Sequence, residues 1–233
     1  MRLDKFLCEM NIGTRSQVKT FLRQGLVTVN GNTVKTSDMK VNEYSDKVCF
    51  QGKELHFSRF FYYMMNKPSG VVSATEDNVS KTVLELLRPE EQRSDLFPAG
   101  RLDKDTEGFL LLTNDGELAH RLLSPKKHVD KTYQVLLEKP LSQENILQLE
   151  KGVDIGETKP TLPASITVIN ETTILLTIHE GKFHQVKRMC QAVGNRVTAL
   201  KRISFGGIFL DETLAPGEYR KLTEKEISIL HEA

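Results

Sequence analysis

The chain is expected to fold as α+β: a small helix-helix-hairpin domain, then a larger domain built on a largely antiparallel mixed sheet. Three observations predict this. Short β-type runs bounded by turn residues are numerous, helical patterns are few, and the two never alternate as regular βαβ units. The 233 residues, 39% hydrophobic and 27% charged, suit an ordered chain with room for a small module plus a domain of catalytic size.

Residues 3–10 and 15–24 have helical patterns. Thr14 is placed to cap the second helix and Gly25 to stop it. Val18, Phe21 and Leu22 recur at helical spacing and give it one apolar face, while Arg15, Lys19 and Arg23 recur every four residues on another. Leu26 to Val29 and Thr33-Val34 flank Asn30-Gly31, a type I′ hairpin signal because both turn residues accept positive φ. These elements define a first domain of residues 1–57. A linker near Phe57-Ser58-Arg59 leads into a second domain, 58–233.

In that second domain, Phe60 to Met65 has a strand-like apolar and aromatic pattern, and Pro68-Ser69-Gly70 a turn. Val71 to Ser73 follows as a short strand, then Thr82 to Leu87 as a helix stopped by Pro89. Phe109 to Thr113 is a strand, and Asn114-Asp115-Gly116 caps a helix running to about Leu123. Further strands are expected at Thr132 to Leu137, Ile166 to Val168, Ile174 to Ile178 and Val197 to Ile203. Ser142 caps one intervening helix, and His184 to Val193 forms another, ended by Gly194.

The N-terminus lacks a secretory apolar core, and no run approaches the roughly 18 apolar residues of a membrane span, so a cytoplasmic protein is expected. Cys8, Cys49 and Cys190 are scattered, odd in number and without a CxxC pair, which favours free thiols; Cys190 is placed to pack beside Val186 and Val193. Net charge is only +1, but it is unevenly placed. Residues 1–40 hold seven Lys/Arg against three acids, and residues 181–202 hold six and no acid. Two basic regions suggest a polyanion partner, with a merely solvated face as the alternative.

The most informative segment is Gly100-Arg101-Leu102-Asp103-Lys104-Asp105-Thr106-Glu107-Gly108, a polar loop feeding the apolar run Phe109 to Leu112. Asp103, Asp105 and Glu107 match the first, third and fifth positions of a calcium loop. The twelfth would be Asn114, where a bidentate Glu is needed, and flanking helices are missing, so calcium is rejected. A phosphatase-type Asp-x-Asp-x-Thr is the second reading; it normally follows an apolar strand, whereas Pro98-Ala99-Gly100-Arg101 precedes this one. His179 and His184 are five residues apart with no third ligand nearby, so no metal site is expected there.

The third reading comes from the surroundings. Gly100-Arg101-Leu102-Asp103, Thr106-x-Gly108 and Leu110 to Gly116 resemble the catalytic motif of pseudouridine synthases. Lys131-Thr132-Tyr133-Gln134-Val135 is similar to that family's tyrosine motif, and Gly181 to Met189 to its third motif. Arg15-Ser16-Gln17-Val18 and Gly25 to Gly31 resemble the S4 RNA-binding domain. The combination is similar to the RsuA-like branch, which modifies ribosomal RNA.

That resemblance implies the pseudouridine synthase fold and an enzyme needing neither cofactor nor metal. It would cut the uracil N1–C1′ bond, turn the base and rejoin it through C5. Asp103 would be the essential carboxylate, attacking C1′ or C6 or assisting a glycal intermediate. Lys187, where the wider superfamily usually has arginine, would oppose the desolvation of Asp103; its alternative is a surface lysine that meets phosphate. Tyr133, otherwise a core aromatic, would stack on the target uracil. Arg101, otherwise paired with Asp105 or Glu107, would fill the space of the extruded base. Arg188 would face RNA, and Arg15, Lys19 and Arg23 would meet phosphates. The implied partner is ribosomal RNA, the 16S molecule with 23S as the alternative within the same family, free or in an assembling small subunit, and bound by a monomer. A non-catalytic RNA-binding assembly factor is the competing class.

Overall fold

A computed structural model describes all 233 residues. The polypeptide forms two compact units, one of Met1–Phe60 with Pro89–Arg93, the other of Phe61–Arg88 with Ser94–Ala233.

In the first unit, α1 (Leu3–Glu9) and α2 (Arg15–Arg23) accompany a four-stranded antiparallel sheet. Its strands are β1 (Val27–Val29), β2 (Asn32–Thr33), β3 (Val48–Phe50) and β4 (Lys53–Leu55), in the order β2-β1-β3-β4. Thr14 and Gln17 make a reciprocal capping box at the start of α2. Val18 and Leu22 of α2 are fully buried with Leu3, Phe6 and Leu7 of α1, while Arg15, Lys19 and Arg23 are exposed. Asn30 and Gly31 both have positive φ, as the I′ hairpin requires. Gln51 and Gly52 repeat that geometry between β3 and β4, a hairpin without the usual sequence signal because glutamine is an unusual residue for it.

The second unit is built on β5 (Tyr62–Lys67), β6 (Phe97–Ala99), β7 (Glu107–Thr113), β8 (Lys131–Leu137), β9 (Ser165–Val168), β10 (Thr173–Ile178), β11 (Val197–Phe205), β12 (Ile208–Phe209) and β13 (Tyr219–Lys221). The main path runs β13-β5-β7-β11-β8-β10-β9, with β12 on β11 and β6 on β7. Only β7 and β11 run parallel, so the expected largely antiparallel mixed sheet is what forms.

β7 is an uninterrupted apolar run because both of its faces are covered. Leu110 and Leu112 point into one core with Tyr63, Met65 and Val135; Phe109 and Leu111 point into another with Met64, Ala99 and Phe205. Its one edge pairs with β5; on the other, β11 serves Glu107 and Gly108, and β6 takes over from Leu111. Where β11 meets β7 the backbones come very close. A Cβ on Gly108 would lie 2.2 Å from the Arg202 carbonyl oxygen, and Gly108 has φ +99°.

The helices are α3 (Gly116–Leu123), α4 (Gln143–Lys151), α5 (Gln185–Ala192) and α6 (Glu224–Glu232). Asp115 and Ser142 cap α3 and α4 as expected. The helix expected at Thr82 to Leu87 is only a 3₁₀ turn, Leu84–Leu86, because Thr82 is held in an extended bridge to Val72. That bridge is also all that forms of the expected strand at Val71 to Ser73.

α6 and β13 are additions to the predicted elements. Arg220 on β13 clamps Glu226 of α6 with paired contacts of 2.9 and 2.8 Å. Hydrogen bonding to Arg220 pulls the Glu226 carboxyl down to about 2. A depressed carboxylate stabilises the fold fully above its ordinary value near 4.5 and ceases to as pH falls through its folded value. Melting temperature should therefore decline between pH 4.5 and 2, and Glu226→Gln should flatten that decline, by the equivalent of about 1 kcal/mol. Identical pH–melting curves for the two proteins would remove the clamp from the account. No helix is long and apolar enough to cross a membrane.

Candidate active site

The loop bearing Asp103 joins β6 to β7 and is held mainly through its backbone. Gly100 turns it at φ +88°, and Leu102 buries its side chain. The Leu102 N–H donates to Ser73 Oγ, and the Ser73 hydroxyl donates back to the Leu102 carbonyl, both at 3.1 Å. Fully buried Lys67, at the end of β5, donates from Nζ to the carbonyls of Thr106 (2.8 Å), Pro68 (3.0 Å) and Lys104 (3.2 Å). Burial pushes the Lys67 pKa down to about 8, against the pull of Asp105, Glu107 and Asp103.

Lys187 comes from α5. His184, just before this helix, takes a left-handed conformation (φ 49°, ψ 34°). Gln185 ties the turn, accepting from the Lys182 N–H at 2.9 Å and donating to Glu180 at 3.0 Å. Val186, Met189 and Cys190 face the core, with Val193 packed against them. Lys187 Nζ then donates to Asp103 Oδ2 at 2.9 Å and to Asp105 Oδ1 at 2.6 Å. Burial acts to lower the Lys187 pKa, but the hydrogen bonds to Asp105 and Asp103 outweigh it and leave it raised. The Lys187 hydrogen bond lowers that of Asp105. On the other side of Asp103, His184 Nε2 lies 3.5 Å from Oδ1.

β8 alternates, with Lys131, Tyr133, Val135 and Leu137 inward. Tyr133 is 8% exposed and pairs across the sheet with Arg202 of β11. Arg202 Nε donates to the Phe109 carbonyl at 2.8 Å, and Lys131 Nζ to the Val129 carbonyl at 2.7 Å. Burial, reinforced by Arg202, pushes the Lys131 pKa down to about 8. Arg101, Asp103, Tyr133 and Lys187 line one cavity of about 1060 Å³, together with Lys131 and Arg202. That is slightly above the roughly 300–1,000 Å³ typical of small-ligand sites.

Arg101 is exposed on this cavity, and Asp105 gives its carboxylate to Lys187 rather than to Arg101. Arg188 does not line it. Its guanidinium is bound to Glu157 (2.8 Å), the Phe183 carbonyl (3.0 Å) and the Ile155 carbonyl, so it braces two loops where an RNA-facing charge was expected. One helical step of about 100° from Lys187 turns it away. Lys67, Ser73, Lys131, His184 and Arg202 were not singled out as site residues in the sequence. A signal existed for two: Lys131 and Arg202 are charges at inward positions of alternating strands.

The chain belongs to the RNA pseudouridylate synthase family, whose model matches residues 61–192. An S4 domain model matches residues 1–45. The chain is 53% identical over 236 residues to the "Uncharacterized RNA pseudouridine synthase YtzG" of Bacillus subtilis, covering 100% of this chain and 99% of that one. It is 49% identical to the "Ribosomal small subunit pseudouridine synthase A" of Vibrio cholerae (98% of each chain) and 45% identical to the protein of that name in Escherichia coli (98% and 99%). A crystal structure described as a pseudouridylate synthase superposes with a TM-score of 0.71 at 40% identity, covering 99% of each chain. The protein is thus a pseudouridine synthase, an isomerase. Lys67→Met removes the ammonium donor from the Thr106 and Lys104 carbonyls of the loop and from the Pro68 carbonyl, although the Gly70 N–H still donates to that of Lys104 at 2.8 Å. It should cost about 1–3 kcal/mol in urea unfolding and lower turnover at saturating RNA; an unchanged kcat would exclude a role for Lys67 in holding the loop.

Proposed function

We propose that this enzyme isomerises a specific uridine of ribosomal RNA, in the 16S molecule, with Asp103 as the essential carboxylate. The observation that carries the reading is the placement of Asp103. It is held between Lys187 and His184 in a cavity walled by Tyr133, within a chain similar over nearly its full length to enzymes named for the small ribosomal subunit. Lys187 offsets the cost of desolvating an ionised Asp103 when RNA covers it. Tyr133 stacks on the extruded uracil, and Arg101 occupies the space that the base vacates. Residues 58–233 carry the chemistry. Residues 1–57 supply phosphate contacts through exposed Arg15, Lys19 and Arg23, so affinity falls with salt. In this reading the enzyme acts as a monomer.

The test is pseudouridine mapping of 16S and 23S RNA from cells with and without the gene. The expected result is loss of one 16S pseudouridine. Loss in 23S alone would move the target to the large subunit. No difference in either RNA would favour a non-catalytic assembly factor.

A further inference from the structure

We propose that the exposed ring of Phe183 is a stacking site for the base of a nucleotide next in sequence to the uridine being isomerised. The inference rests on the reading of the cavity as the site of that reaction. Phe183 is 72% exposed, although it belongs to the same cavity wall as Tyr133, which is 8% exposed. Tyr133 therefore lies at the floor and Phe183 at the rim. One face of the Phe183 ring is covered by the His184 imidazole, with centroids 3.8 Å apart and planes within 20°. His184 in turn reaches to 3.5 Å from Asp103. An apolar ring is thus presented to solvent two side chains away from the reacting carboxylate.

The backbone that carries the ring is also held in place. The Phe183 carbonyl accepts from Arg188, which is fixed by Glu157 and the Ile155 carbonyl, and Gln185, just after Phe183, ties back to the Lys182 N–H and to Glu180 before it. Such a platform loses little freedom when a flat ligand settles on it. A single exposed apolar side chain is ordinary on a protein surface. Here it borders a cavity already large for one small ligand, and Arg101 and Lys104, both exposed on the Asp103 loop, supply charge for a polyanionic backbone. Extruding one base strips a stacking partner from its neighbours, and an aromatic face at the rim replaces that partner. Every nucleobase has such a face, so the site contributes affinity rather than sequence choice.

The experiment uses the full-length enzyme and an rRNA fragment that wild type isomerises. The fragment is made intact, with an abasic residue 5′ to the target, or with one 3′ to it. Phe183→Ala should weaken binding of intact RNA about 5- to 150-fold, raising KM with little change in kcat. Phe183→Tyr should restore it. On one of the two abasic RNAs wild type should bind as weakly as Phe183→Ala, and the substitution should have no further effect. Because the side chain is exposed, melting temperature should not change. Wild-type affinity in Phe183→Ala, or an equal loss on all three RNAs, overturns the stacking site while leaving the enzyme's activity in place. Failure of wild type to isomerise any rRNA fragment overturns the functional reading and this inference with it.

Discussion

Asp103→Asn is expected to abolish tritium release from RNA carrying 5-tritiated uridine while leaving RNA affinity unchanged. Asparagine keeps the size of the side chain and an oxygen that can accept from Lys187, and Lys187 retains Asp105 as an ion-pair partner. The loop is fixed by Ser73 and Lys67 through backbone groups that the substitution does not touch. What disappears is the negative charge and nucleophilic oxygen at the one carboxylate bracketed by Lys187 and His184. Asp105→Asn is the control. Asp105 is exposed and serves Lys187 from the solvent side, so that variant should retain most turnover. Turnover retained in Asp103→Asn would remove Asp103 from the chemistry, and equal loss in both variants would show that net charge rather than position matters.

Gly108→Ala is expected to be among the most destabilising single-methyl additions in the chain. The new Cβ would sit 2.2 Å from the Arg202 carbonyl oxygen and 2.8 Å from its nitrogen, so backbone rather than a flexible side chain must yield. Its φ of +99° is strained for any residue with a Cβ. Together these should cost on the order of 3 kcal/mol or more, read as a lower urea midpoint with unchanged slope. The same displacement would move Arg202 away from the Phe109 carbonyl and shift the start of β7, so activity should fall even where the protein remains folded. Gly116→Ala is the comparison, since no atom lies within 4 Å of the Cβ it would gain. Wild-type stability in Gly108→Ala would contradict the close approach of β7 and β11.

Much of this architecture was legible because local signals agree with the tertiary outcome. Asn30-Gly31 dictates its hairpin, Thr14 its helix start, and the apolar run after Gly108 a strand covered on both faces. Asp103, Tyr133, Lys187 and Arg101 were legible as motif residues, and they line one cavity. The rest depends on partners distant in sequence. β13 is only three residues long and gains its pairing from β5. α6 does carry a local signal, since Thr223 and Glu226 form a capping box. Ser73 and Lys67 have no local pattern that announces hydrogen bonds to a loop 29 to 39 residues on. Arg188 is the opposite case: its charge is evident in the sequence, and its engagement with Glu157 and two carbonyls is visible only in three dimensions.

The sheet order sets a timetable for synthesis. The first unit is assembled largely from neighbouring segments and can form early as the chain emerges. The catalytic centre cannot, because Lys187 meets Asp103 across 84 residues and β11 must be inserted between β7 and β8 before the cavity has a floor. Closure waits longer still, for Tyr219, which follows β11 in the chain, to pair with Met65. A nascent chain would therefore be capable of holding RNA well before it could alter it.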